Sequence, residues 1–281
     1  MPLTRIWEED EVTPELRRFY GEIRASFDLP FVPSLFKLLS GVPEYLGVMW
    51  NDLEAVVCSR EFQVAGKALE EFARSLAISG GWRLSDQQRL LASQKFSLSD
   101  AEQLEGIVST FARFAARLTL FARLMQKGYS GGQRGRISNG RQASALSHLI
   151  TLHVPKESAA GLRAWLIYTD IKRTLGTRHV FSIYRVISPF PGYLASVWLD
   201  SKRLFRDPSF VHARDDVAKR AGALLTGIPV KDHRASARHL DAKQWGEIEE
   251  LVDSYARLLP QFALLSAVWQ RSFTLLGQVV A

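Results

Sequence analysis

The chain is poor in cysteine, in uninterrupted apolar runs and in recognisable cofactor motifs. Its 281 residues contain a single cysteine, Cys58, so no internal disulfide can form. That usage fits a reducing cytoplasm, with Cys58 as a small apolar core residue. The opening residues, PLTRIWEEDE, are acidic and have no apolar centre, unlike a secretory leader. No stretch reaches the roughly 18 unbroken apolar residues of a membrane span. The most apolar one, 258–280, is interrupted by Gln261, Gln270, Arg271 and Gln278 and reads as a buried helix. There is no HExxH, no cysteine pair and no acidic cluster of metal-site pattern. His148 and His153 are spaced poorly for one helix face, and His233 and His239 fall in a loop-like stretch. No metal is therefore expected. Phosphate-cradling glycine motifs and a G-x-S-x-G elbow are also missing.

The 47% hydrophobic content is enough for one large core or two modest ones. Apolar residues recur at helical spacing, as in Leu16, Phe19, Tyr20, Ile23 and Phe27, behind a Thr13-Pro14 start. Prolines at 30 and 33 end that helix. A short helix is expected over 34–39. Another starts at Pro43, carries Trp50 and continues, with interruptions, towards Ile78. Ser99 with Glu102 reads as a capping box for a helix running to about Lys127. Few segments alternate at period two, so no sheet is expected and the fold class is all-α.

The chain also repeats itself. FKLLSGVPEYLGVMW ends at Trp50, and YRVISPFPGYLASVW ends 148 residues later at Trp198. The same offset pairs Tyr20 with Tyr168, Ile23 with Ile171, Ser34 with Ser182 and Asp52 with Asp200. Further on the offset drifts, and VSTFARF (108–114) matches VDSYARL (252–258). We expect a first helical repeat over 1–127, a Gly/Arg-rich linker over 128–145 and a second repeat over 146–281. The two would pack as a pseudo-twofold dimer, with a pocket where they meet.

The segments IRASFDLPFVPSLFKLLSGVPEYLGVMW and TLGTRHVFSIYRVISPFPGYLASVW resemble the two repeats of the group I (DL-type) 2-haloacid dehalogenase family. The resemblance implies an all-α internal duplication that needs no cofactor. It also implies hydrolysis of short 2-haloacids, in which an aspartate activates water for direct displacement of halide and an Asn helps to position that water. Carried over by position, the family's Asp falls on Ile183, just after Ser182, and its Asn falls near Ala115. Neither residue can do the family's work, and no Asp or Glu lies between Lys172 and Leu199. Phe31 keeps the family's pocket aromatic, while the neighbour one turn on is Ser34.

The expected pocket residues are Phe31, Ser34, Leu35, Ala115, Leu118 and Ile183 for substrate binding, with His179 and Ser182 for catalysis. His179 is the only titratable group among them and could act as a base near neutral pH; capping the short helix or sitting on the surface is its other reading. Ser182 could equally be a plain helix-start residue. Three functions follow. The first is a cofactor-independent enzyme of altered chemistry (isomerisation, cyclisation or elimination) on a largely apolar small molecule. The others are a dehalogenase with a substitute base and a non-catalytic small-molecule binder. The net charge of +7 is spread over helix faces among acids, so no nucleic-acid partner is expected, nor a membrane. A homodimer is compatible with the sequence.

Overall fold

The structure is a computed structural model that describes residues 3–132, 152 and 154–277. Those residues form helices and no strands. In chain order the helices are α1 (Pro14–Phe27), α2 (Ser34–Leu39), α3 (Pro43–Val57), α4 (Arg60–Ser79), α5 (Gln87–Ser93) and α6 (Leu98–Tyr129). After a single 3-10 turn, Glu157–Ala159, come α7 (Leu162–Leu175), α8 (Ser182–Arg185), α9 (Pro191–Arg206), α10 (Pro208–Leu224), α11 (His233–Ser236) and α12 (Ala242–Gly277). Among the described residues no helix is long and apolar enough to cross a membrane.

Local chemistry sets the ends. The Thr13 hydroxyl accepts the Leu16 N–H, and Pro14 sits at the first helical position. The expected run from Trp50 towards Ile78 is two helices. Ser59 starts the second by accepting the Phe62 N–H. The α6 box is made by Ser97 and Asp100 rather than Ser99 and Glu102: Ser97 Oγ accepts the Asp100 N–H while Asp100 accepts from the Ser97 backbone. Two S-x-x-acid patterns overlap here, and the upstream one fits the cap. α7 ends at Gly176 in the left-handed region, at φ 66°, where glycine meets no Cβ penalty. Helix α6 continues through Tyr129, beyond the expected start of the linker, and 133–145 lie outside the described residues, as do His148 and His153.

α6 and α12 form the most extensively packed pair, with α4 against both and α10 beside α12 and α4. α1 packs on α3, and α7 on α9. Two aromatic clusters fill the interior. In one, Phe27 is surrounded by Phe36, Trp50, Phe62, Phe114 and Phe121. The other joins Tyr184, Trp198, Phe205 and Phe262. Truncating such a ring to alanine costs about 3–5 kcal/mol. The indole N–H groups are satisfied in parallel: Trp50 donates to Glu22 at 3.1 Å and Trp198 to Asp170 at 2.6 Å.

A polar cluster lies among these apolar residues. Lys37 of α2 and Arg185 of α8 are nearly inaccessible, at 5% and 1% exposure. Both donate to the carboxylate of Glu8, at 2.6 and 2.5 Å. Arg185 Nε also donates to the Pro155 carbonyl at 2.8 Å. The segment before α1 is thereby tied to both short helices.

Candidate functional site

α2 and α8 begin after extended residues, Pro33 and Phe181, which place Ser34 and Ser182 at their first turns. Ser34 is buried, and its hydroxyl is 2.8 Å from that of Tyr255 on α12. The same Tyr255 hydroxyl is 2.8 Å from His179 Nε2. The three side chains form one hydrogen-bonded chain from α2 through α12 to the loop before α8. It has two senses. If His179 carries its proton on Nδ1, Nε2 accepts from Tyr255, which accepts from Ser34; the other tautomer reverses both bonds.

The loop carrying His179 is held firmly. Glu157 accepts the Val180 N–H at 2.6 Å and pairs with Lys172 at 3.0 Å. Thr177 Oγ1 donates to the His179 carbonyl. The imidazole stacks on Tyr255, with centroids 5.6 Å apart and planes 8° from parallel, and tilts against Phe181. Burial, reinforced by the positive charges of Arg185 and Lys172, pushes the imidazole pKa down to about 4. Burial pushes the Tyr255 hydroxyl up. The relay is therefore neutral at pH 7. His179, 7% exposed, also borders an open cavity of about 230 Å³ whose walls include Leu3, Thr4, Glu247 and Leu251. It stands between solvent and the buried tyrosine.

The other expected substrate-binding residues are apolar. Phe31 stacks on Phe111 of α6, with centroids 5.4 Å apart and planes at 29°, and meets Phe114 edge-on. Ala115 and Leu118 follow Phe111 by four and seven residues and so share its helix face. Phe31, Ala115, Leu118 and Ile183 are all buried but keep 3–4% exposure, whereas Leu35 is sealed at 0%. The structure thus joins His179 to Ser34 through Tyr255 and gathers Phe31 with the α6 face. The Ser182 side chain takes part in none of the relay bonds, although it is buried on the first turn of α8. The surface reading of His179 is overturned by its burial.

Tyr255 is the member of this candidate site that sequence reasoning missed. Its signal was the match of VDSYARL to VSTFARF, which sets Tyr255 opposite Phe111. The stacked pairs Phe31/Phe111 and His179/Tyr255 occupy corresponding places in the two quoted repeats. His233 was read as a loop residue, yet it opens α11 and is fully buried. Among the described residues no group of three His, Cys, Asp or Glu side chains is placed to hold a metal.

Comparison with known proteins agrees with this architecture. An (R)-2-haloacid dehalogenase of Rhizobium sp. (strain NHG3) is 22% identical over 233 residues, covering 82% of this chain and 90% of the relative. One from Pseudomonas putida is 23% identical over 269 residues, covering 90% and 85%. The solved structure of a D-2-haloacid dehalogenase mutant in complex with D-2-CPA superposes with a TM-score of 0.86 at 20% identity, over 95% of each chain. A second, of D-2-haloacid dehalogenase with L-LA, gives 0.86 over 96% of each. At that identity the structural likeness speaks for the fold alone. A family model described as Halocarboxylic acid dehydrogenase DehI matches residues 30–184, from the loop before α2 into α8 and more than half of the chain, and the chain belongs to that family.

Proposed function

We propose that this chain is a cofactor-independent enzyme of altered chemistry on the haloacid dehalogenase scaffold. It acts by proton transfer on a small, largely apolar molecule held where the two repeats, 1–127 and 146–281, meet as a pseudo-twofold pair. The observation that carries this reading is the buried, neutral Ser34–Tyr255–His179 relay. Such a relay can take a proton at one end and deliver one at the other without leaving a buried net charge, as isomerisation or elimination requires. Phe31, Ala115, Leu118 and Ile183 supply the apolar lining, Ser34 and Leu35 the α2 edge. His179 is the proton acceptor, and Ser182 stands beside the reacting group. With Ile183 at the position of the family's aspartate, direct hydrolysis lacks its carboxylate base.

The test is chloride release from racemic 2-chloropropionate by the wild type and by Ile183→Asp. This reading expects none from the wild type and measurable release from the variant. Release by the wild type would overturn it in favour of a second reading, a dehalogenase with His179 as substitute base. That alternative is favoured by the naming of both curated relatives as (R)-2-haloacid dehalogenases. An imidazole titrating near 4 is about as basic as an ordinary aspartate and is unprotonated at pH 7.

A further inference from the structure

The loops that follow α4 and α10 are built alike. Gly81 and Gly227, 146 residues apart, both take the left-handed region, at φ 66° and 82°. In each loop a buried apolar residue comes three positions later, Leu84 at 5% exposure and Val230 at 4%. Two positions further on, the side chains of Asp86 and Asp232 cap α5 and α11. The starts of α4 and α10 correspond as well. Ser59 and Asp207 cap them, and Phe62 and Phe210, three residues on, are both sealed at 0%. Each loop reaches the first turn of the other helix.

The residue after the glycine sets the two apart: it is Trp82 in one loop and Ile228 in the other. The Trp82 indole lies on the first turn of α10. It meets Phe210 near edge-on, with centroids 5.3 Å apart and planes at 74°, and its Nε1 donates to Ser209 Oγ at 3.2 Å. The ring passes so close to Gly80 that a Cβ there would fall 2.3 Å from it. Where Ile228 stands, an open cleft of about 740 Å³ separates the loop from the first turn of α4. Its walls include Arg60, Glu61 and Val64 on one side and Leu224, Ile228 and Pro229 on the other. These walls are accessible: Val64 is 59% exposed, and Arg60 and Glu61 are exposed too. A Cβ added to Gly227, also in the lining, would meet nothing within 4 Å. Glu61 takes the place in α4 that Ser209 takes in α10. We propose that this cleft binds a small planar aromatic molecule with a ring N–H, an indole or a related heterocycle, in the position that Trp82 occupies in the other half. Val64, Ile228 and Pro229 cover its apolar surface. The Glu61 carboxylate accepts the ring N–H as Ser209 accepts that of Trp82, and the Arg60 guanidinium lies over the outer ring face. None of the three relay residues lines this cleft, and the site does not depend on their chemistry.

Titration of the isotope-labelled full chain with indole, followed by amide NMR shifts, tests this. Saturable shifts at 59–65 and 224–229 are expected, with Kd of about 1 mM or tighter. 1-Methylindole, which has no N–H to donate, should bind several-fold more weakly. Val64→Asp changes an exposed side chain in a folded protein and should weaken indole binding by about tenfold. Ile228→Trp supplies the ring from within the chain and should abolish it. Trp82→Gly opens the corresponding place on α10 and should take up a second equivalent, with new shifts at 207–213. The absence of saturable shifts at 59–65 would overturn the site. So would an affinity unchanged by both Val64→Asp and Ile228→Trp, or shifts confined to the surroundings of Tyr255. A single equivalent in Trp82→Gly with none in the wild type would show that the walls on α10 hold a ring and those on α4 do not, which overturns the proposal as well. Equal binding of indole and 1-methylindole would overturn the role of Glu61.

Discussion

At the residue scale, Tyr255 holds the site together, because two buried groups depend on its one hydroxyl. Tyr255→Phe keeps the ring stack but leaves Ser34 Oγ and His179 Nε2 without a partner. We expect a loss of about 1–3 kcal/mol in urea unfolding, whereas phenylalanine at an exposed tyrosine would cost almost nothing. His179 makes stability pH-dependent. Its folded pKa lies near 4, below the ordinary 6.5, so the unfolded chain binds more protons between those values. Stability is then full above about 6.5 and falls as pH drops towards 4, by at most roughly 3 kcal/mol from this group. His233, also lowered by burial, adds in the same direction. His179→Gln should flatten the profile of unfolding free energy between pH 7 and 4, and an unchanged slope would assign the effect elsewhere. His179 stood out in the sequence as the one titratable group among the expected pocket residues. Tyr255 was not, because in an apolar helix a tyrosine in register with phenylalanine looks like packing until its hydroxyl is seen between two partners.

At the element scale, the short helices α2 and α8 decide where the site residues stand. Lys37 and Arg185 each lie one turn beyond Ser34 and Ser182, and Glu8 bridges them. Glu8→Gln would leave two inaccessible cations without a counter-charge, with an expected cost of about 3–5 kcal/mol in chemical denaturation. A value under about 1 kcal/mol would mean that the cluster rearranges or takes up another anion. The helices themselves were largely legible, since apolar periodicity and the Thr13-Pro14 start depend on local sequence. The breaks were less so. Ser59 and Asp207 begin new helices with side-chain caps, at breaks whose positions the sequence reading did not assign. The Lys37–Glu8–Arg185 cluster was illegible for another reason: it joins residues 29 and 177 apart in the chain, and no local pattern reports such a pairing.

At the scale of the whole molecule, the long helices α6 and α12 pack on each other and both carry α4, so neither half of the chain has a core to itself. One cooperative unfolding transition is expected, with helical content and tryptophan environment lost at the same denaturant concentration. Two separated transitions would show that the halves are independent. The all-α class was legible from periodicity, while the packing of α6 on α12 rests on contacts between residues far apart in sequence. The Glu8 cluster also sets an order of events during synthesis. Lys37 follows Glu8 by 29 residues, but Arg185 leaves the ribosome 177 residues after Glu8. At roughly 5–20 residues per second that delay is about ten to thirty-five seconds. For most of that interval, once Lys37 has been made, Glu8 has only one of its two cations available. The segment before α1 gains its second anchor only when α8 arrives, so it is locked in place long after it is made.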